Sequence, residues 1–229
     1  MENVKILPNI RLPMLLALVG SALLSGCAAL NPSLHDYQFR YDEGTLRETR
    51  SADGDCSITA NGKISVGFGH EFANIVKRLE KVQCKTKTVY LNSTGGLVVP
   101  ALQAGALIRK QGYSTAVAEG SGKCQSACGF IYIAGVERIS RGRNALNWSG
   151  NEIGLHQISR KDASDGSKSC LTGETMDAKI VALMRRYIGA MLPKRGAEAY
   201  FKSMMETDCQ KIRFFTPEEL LSLGISTRS

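Results

Sequence analysis

Gly122-Lys123-Cys124-Gln125-Ser126-Ala127-Cys128-Gly129 lies between a β-rich run at 113–118 and a short apolar run at 127–134. That order predicts a strand, a polar loop over 119–125, and a small buried helix opened by Ser126. A hydroxyl at the start of a helix sits where free N–H groups and the helix dipole stabilise developing negative charge. The same position suits a plain capping serine, so this turn alone assigns no chemistry.

Two neighbouring segments have the same strand-to-loop character. Upstream, a short strand at 88–91 ends in Asn92-Ser93-Thr94-Gly95-Gly96 and leads into a helix over 98–110. Pro100 is tolerated in that helix's first turn, and Gly112 stops it. Paired glycines there allow unusual dihedrals and leave backbone N–H groups free to point into a cleft. Downstream, a strand over 152–158 carries Gly154-Leu155-His156-Gln157. Ligands of α/β sheets gather at the carboxyl ends of strands, so the three segments are expected to face one cleft. Further helices are predicted over 71–82, 175–191, 197–206 and 217–223, and a hairpin over 57–66 around Asn61-Gly62. A polar loop spans 160–173, either a lid or a plain surface loop. Strands alternating with helices at these lengths imply an α/β chain with right-handed parallel crossovers.

Four short motifs together resemble the ClpP (Clp protease proteolytic-subunit) group of the ClpP/crotonase superfamily, over roughly 64–225. The strand-end Asn-Ser-Pro-Gly-Gly of that family is matched by Asn92-Ser93-Thr94-Gly95-Gly96, and its nucleophile helix is similar to Gln125-Ser126-Ala127-Cys128 followed by Ala134-Gly135. Its Ile-His-Gln is matched by Leu155-His156-Gln157, and its late Ala-Pro-Glu-Ala…Gly-Leu by Thr216-Pro217-Glu218-Glu219…Gly224-Ile225. The resemblance implies repeated ββα units with parallel strands and flanking helices. It makes Ser126 the nucleophile and His156 its general base, with the N–H groups of Gly96 and Ala127 as oxyanion hole. It implies a peptide or unfolded-protein substrate, no cofactor, and a homo-oligomer. Two positions depart from the family. Thr94 replaces the proline, and Lys211 stands where the orienting acid belongs, so Asp208 is the candidate third residue.

The chain start points to the cell envelope. Lys5 and Arg11 precede an apolar run over 12–24, too short for a membrane span and ending in Leu24-Ser25-Gly26-Cys27. That ending resembles a bacterial lipobox, which makes 1–26 a lipoprotein signal peptide and Cys27 the lipidated residue. Residues 27–55 then read as a polar tether and 56–229 as the folded domain. Ala28 after the cysteine favours the outer membrane, facing the periplasm. Two or three acyl chains would give stable anchoring.

The six remaining cysteines suit an oxidising compartment. Cys56 is expected to pair with Cys84, and Cys124, Cys128, Cys170 and Cys209 among themselves. A Cys-His nucleophile at 124 or 128 is the alternative to pairing. No Cys-x-x-Cys occurs and the three histidines are scattered, so no metal site is expected. The 229 residues carry a formal charge of +8, and Arg138, Arg141 and Arg143 cluster. Only 7% of residues are aromatic, which argues against nucleic acid and for a solvated surface or anionic lipid. Two functions follow: a membrane-anchored periplasmic serine peptidase, or a non-catalytic binding or scaffold lipoprotein of the same fold.

Overall fold

Cys56, Ile58 and Ala60 alternate inward along strand β3 (Asp55–Gly62), and that period of two builds the centre of the molecule. The computed structural model describes residues 33–118, 122–140, 153–161, 164, 167–172 and 175–228. The signal-peptide and Cys27 readings, and Arg141 and Arg143, lie outside them. Beside β3 runs β4 (Thr86–Asn92), parallel to it, with Val89 and Leu91 buried. Between the two crosses helix α1 (Val66–Leu79), whose Phe68, Phe72, Ile75, Val76 and Leu79 repeat at helical spacing and are buried. Ser65 caps α1 by accepting from the Phe68 N–H and donates in turn to Asp42 at 2.5 Å.

The parallel pattern continues. Helix α2 (Val98–Gln111) follows β4 and ends at Gly112, whose φ of 70° closes it in the left-handed region. Then come β5 (Ser114–Val117), the short β6 (Cys124–Gln125), the fully buried helix α3 (Cys128–Ile133), and β7 (Arg138–Ile139). Strands β3, β4, β5 and β7 are parallel neighbours in one six-stranded sheet. A three-stranded sheet joins β6, β8 (Ile153–Leu155) and β11 (Arg213–Phe214). The last helices are α4 (Ala178–Met191), α5 (Lys194–Glu206) and α6 (Pro217–Ser222). No helix among the described residues is long and apolar enough to cross a membrane.

The sheet corrects the tether. Residues read as a linker form β1 (Ser33–Tyr41) and β2 (Gly44–Ser51), an antiparallel pair that continues the main sheet through β3. Leu46 and Glu48 face inward and are buried, while the other face carries exposed polar residues such as Asp36 and Arg47, which form an ion pair. An outer antiparallel pair solvated on one face reads as polar on average, which is why composition mistook it for tether. The hairpin turn is Asp42-Glu43, not Asn61-Gly62. Gly62 ends β3 at φ 113°, where an added Cβ would meet Glu43 O at 2.3 Å. The expected loop after 160 holds a small hairpin, β9 (Ser159–Lys161) against β10 (Lys168–Cys170).

Candidate active site

Ser126 is the one non-glycine among the described residues with a positive φ, 54°. A β-carbon is unfavourable in that region, and such a conformation persists only where surrounding contacts over-determine it. Here they do. The Ser126 N–H donates to Gly154 O on β8 at 2.8 Å, and the preceding Gln125 N–H to Ser93 O at 3.0 Å. The Gly129 N–H closes back on Ser126 O at 2.9 Å as α3 begins. The result is a sharp strand-to-helix turn that leaves the serine half-buried at its tip.

The Gly95-Gly96 turn lies directly against it. Ser93 N–H donates to Lys123 O at 2.7 Å, and the Gly95 N–H to Ser93 Oγ at 3.1 Å, so Ser93 ties the two turns together. A Cβ on Gly95 would stand 2.7 Å from Ser126 Cβ and 3.0 Å from the Ala127 nitrogen. Gly96, at φ 146°, passes Ile64 O so closely that a Cβ would sit 2.2 Å from it. Both glycines are therefore required by close approach as well as by dihedral. Among the described residues, the Gly96 and Ala127 N–H groups donate to no protein acceptor.

His156 follows β8, which pairs in parallel with β6 so that Gln125 stands opposite Gly154. This register brings Ser126 and His156 to the same end of adjacent strands. No hydrogen bond joins them among the described residues. Nδ1 of His156 lies 2.5 Å from Gln157 O. A carbonyl can only accept, so Nδ1 is the donor in this contact. Gln157 is itself held on both sides: its N–H donates to Thr207 O at 2.8 Å and its side-chain Nε2 to Met205 O at 2.6 Å.

Asp208 and His156 share no hydrogen bond among the described residues. Asp208 is exposed at the end of α5, and its Oδ1 accepts from the Gln210 N–H at 2.8 Å. The acceptor at His156 Nδ1 is instead the Gln157 carbonyl, a backbone group that a search for acidic side chains does not find.

The six cysteines form three disulfides, Cys56–Cys84, Cys124–Cys128 and Cys170–Cys209. Cys124 and Cys128 are bonded to each other and fully buried, which removes the thiol nucleophile alternative. Asp208 lies near Cys170 and Cys209, but the bond between those two sulfurs leaves no thiolate pair for a metal. One feature had no signal in the linear pattern. An open groove of about 400 Å³ begins at Leu97, next to Gly96, and is lined by Val66, Val99, Ile158 and Leu183. Four of these five are large apolar side chains left exposed.

No protein-family profile matches this chain, and no curated protein sequence does. Solved structures do. A serine-to-alanine variant of the 1510-N membrane-bound stomatin-specific protease superposes with a TM-score of 0.56 at 15% identity, covering 75% of this chain and 76% of that one. The fold is ClpP-like. A lysine-to-alanine variant of the same protease, in complex with a substrate peptide, gives 0.55 at 13% identity, over 75% and 72% of the two chains. ClpP1 from Listeria monocytogenes gives 0.50 at 18%, over 75% and 89%. ClpP-like architecture is thus established for the 75% of the chain that these superpositions cover, and the outer pair β1–β2 belongs to the same sheet.

Proposed function

We propose that this protein is a serine peptidase, lipid-anchored through Cys27 at the outer membrane, on the periplasmic side of the cell envelope. The observation that carries the catalytic part is Ser126, held at positive φ between β6 and α3 against the Gly95-Gly96 turn. In this reading Ser126 Oγ attacks the scissile carbonyl while His156 Nε2 takes its proton. His156 then returns the proton to the leaving amine. The contact to Gln157 O keeps the imidazole in the tautomer that this step needs. The Gly96 and Ala127 N–H groups stabilise the oxyanion, a donor pair in which each member is typically worth about 10²–10³ in rate.

The substrate is a peptide or an unfolded segment, since the fold is shared with proteases, one of which was solved with a substrate peptide. The apolar groove beside Gly96 supports a preference for large apolar side chains. A homo-oligomer is part of the same proposal. The N-terminal motif and the six cysteines, all paired, support export.

A second reading has its own support: Asp208 accepts from the Gln210 N–H and shares no hydrogen bond with His156, as a non-catalytic scaffold of this fold would allow. A fluorophosphonate probe separates the two. The protein from residue 31 onward, made in an oxidising compartment, is expected to be labelled at Ser126, with labelling lost in Ser126→Ala and strongly slowed in His156→Ala. A folded parent that takes no label would overturn the catalytic reading in favour of the scaffold.

A further inference from the structure

The Cys124–Cys128 disulfide brackets Ser126 symmetrically, two residues on either side. It closes a span of only four residues, against 28 and 39 for the other two bridges. Stabilisation by restricting the unfolded chain grows with loop size, so this bridge is the weakest of the three as a global staple. It does something local instead. Four extended residues would separate the two Cα atoms by up to about 13 Å, whereas here they are 5.1 Å apart. The chain must reverse within that span, between a strand residue and the first residue of a helix, and the residue that absorbs the reversal is Ser126 at φ 54°.

Both cysteines are fully buried, while the serine between them keeps partial exposure. The bridge therefore constrains the backbone from inside and leaves the outer side of the turn free. Relaxing the turn would let Ser126 leave the left-handed region, since a serine is more stable at negative φ. That movement would swing Oγ and the adjoining Ala127 N–H together, because both belong to the same two residues.

We infer that Cys124–Cys128 is a positioning disulfide for the nucleophile: it holds Ser126 Oγ and the Ala127 N–H in the arrangement that acyl transfer requires. The inference rests on the Ser126 reading above, and its consequence is that activity belongs to the oxidised protein. The other two bridges supply the comparison. Cys56–Cys84 joins the start of β3 to the segment before β4, at the end of the sheet away from the catalytic turns. It closes a longer loop and never touches the site.

The test compares Cys124→Ala/Cys128→Ala with Cys56→Ala/Cys84→Ala, both against the parent. The maximal rate of Ser126 labelling by a fluorophosphonate should fall at least tenfold in the first double variant, with the half-saturating probe concentration little changed. The second should lose more thermal stability yet label at the parental rate. Amide hydrogen exchange over 122–134 gives a readout independent of chemistry, and should quicken in the first variant alone. If the alanine pair fails to melt cooperatively, Cys124→Val/Cys128→Ala restores buried volume at the strand position and carries the same comparison. Parental labelling rate and unchanged exchange in a folded variant without the bridge would overturn the inference. A parent that takes no label at all would instead overturn the catalytic reading, and quickened exchange would still uphold the bridge as the clamp on the turn.

Discussion

Ser126, His156 and the two glycines illustrate how differently single residues announce their roles. Gly95 is the one whose added side chain would meet the serine itself, because φ of 99° and a Cβ position 2.7 Å from Ser126 Cβ act together. If Ser126 is the nucleophile, Gly95→Ala should displace its turn and slow fluorophosphonate labelling there by about tenfold or more, the loss expected when oxyanion geometry is disturbed. Labelling at the parental rate would show that the turn tolerates a side chain there. The serine, the histidine and the paired glycines were legible in the chain because each stands at a strand end in a recognisable order. The partner of His156 was not. A carbonyl is present at every position, and only the bend of the backbone after β8 brings the one from Gln157 to Nδ1. Asp208, the acid nearest in sequence to the expected place, is taken up by the turn that follows α5.

Elements were easier to read than their pairings. Helices α1, α4 and α5 carry apolar stripes, and the capping box of α6 is present in full: Thr216 Oγ1 accepts from the Glu219 N–H while Glu219 Oε2 accepts from the Thr216 N–H. The Thr216 N–H, joined by the Arg213 guanidinium at 2.7 Å, holds the Glu219 carboxyl below its ordinary value of 4.5. A carboxyl lowered by folding stabilises the protein fully above its unfolded value, and that stability is lost as pH falls through the folded value. The gap in melting temperature between parent and Glu219→Gln should thus be open at neutral pH and shrink as pH falls below 4.5 through the lowered folded value. A constant gap would deny the carboxylate its role. The bridge from Cys56 to Cys84 closes a 28-residue span and ties β3 to the approach of β4. Chain-entropy reasoning gives it about 3–4 kcal/mol, so Cys56→Ala/Cys84→Ala should shift the urea midpoint down by that equivalent. Strands β1 and β2 escaped the linear reading because they are half-solvated. Glu48 shows why: it is buried, yet the Arg50 and Arg78 guanidinium groups and the His35 ring surround it within 3.6 Å, so a charged letter in the sequence marks an interior position.

For the whole molecule, the decisive event is the meeting of three segments that are about 30 residues apart in the chain, the turns at 93–96 and 124–128 and the end of β8. Beside them opens the apolar groove from Leu97 to Leu183, assembled from α1, α2, α4 and the segment after β8. If peptides lie there, Leu97→Asp should reduce turnover of peptides with large apolar side chains far more than turnover of those with small ones, because burying a leucine-sized side chain contributes about 1.5–3 kcal/mol. Equal losses for both kinds of peptide would place the substrate elsewhere. Sequence order alone was enough for the α/β alternation, the nucleophile candidate, its histidine and the glycine pair, since these depend on local periodicity and on turn chemistry that a few neighbouring residues dictate. The outer strands and the groove depended on which distant surfaces came together. Those outcomes follow from sheet pairing and close packing, in which a residue's role is set by neighbours that the linear chain does not place beside it.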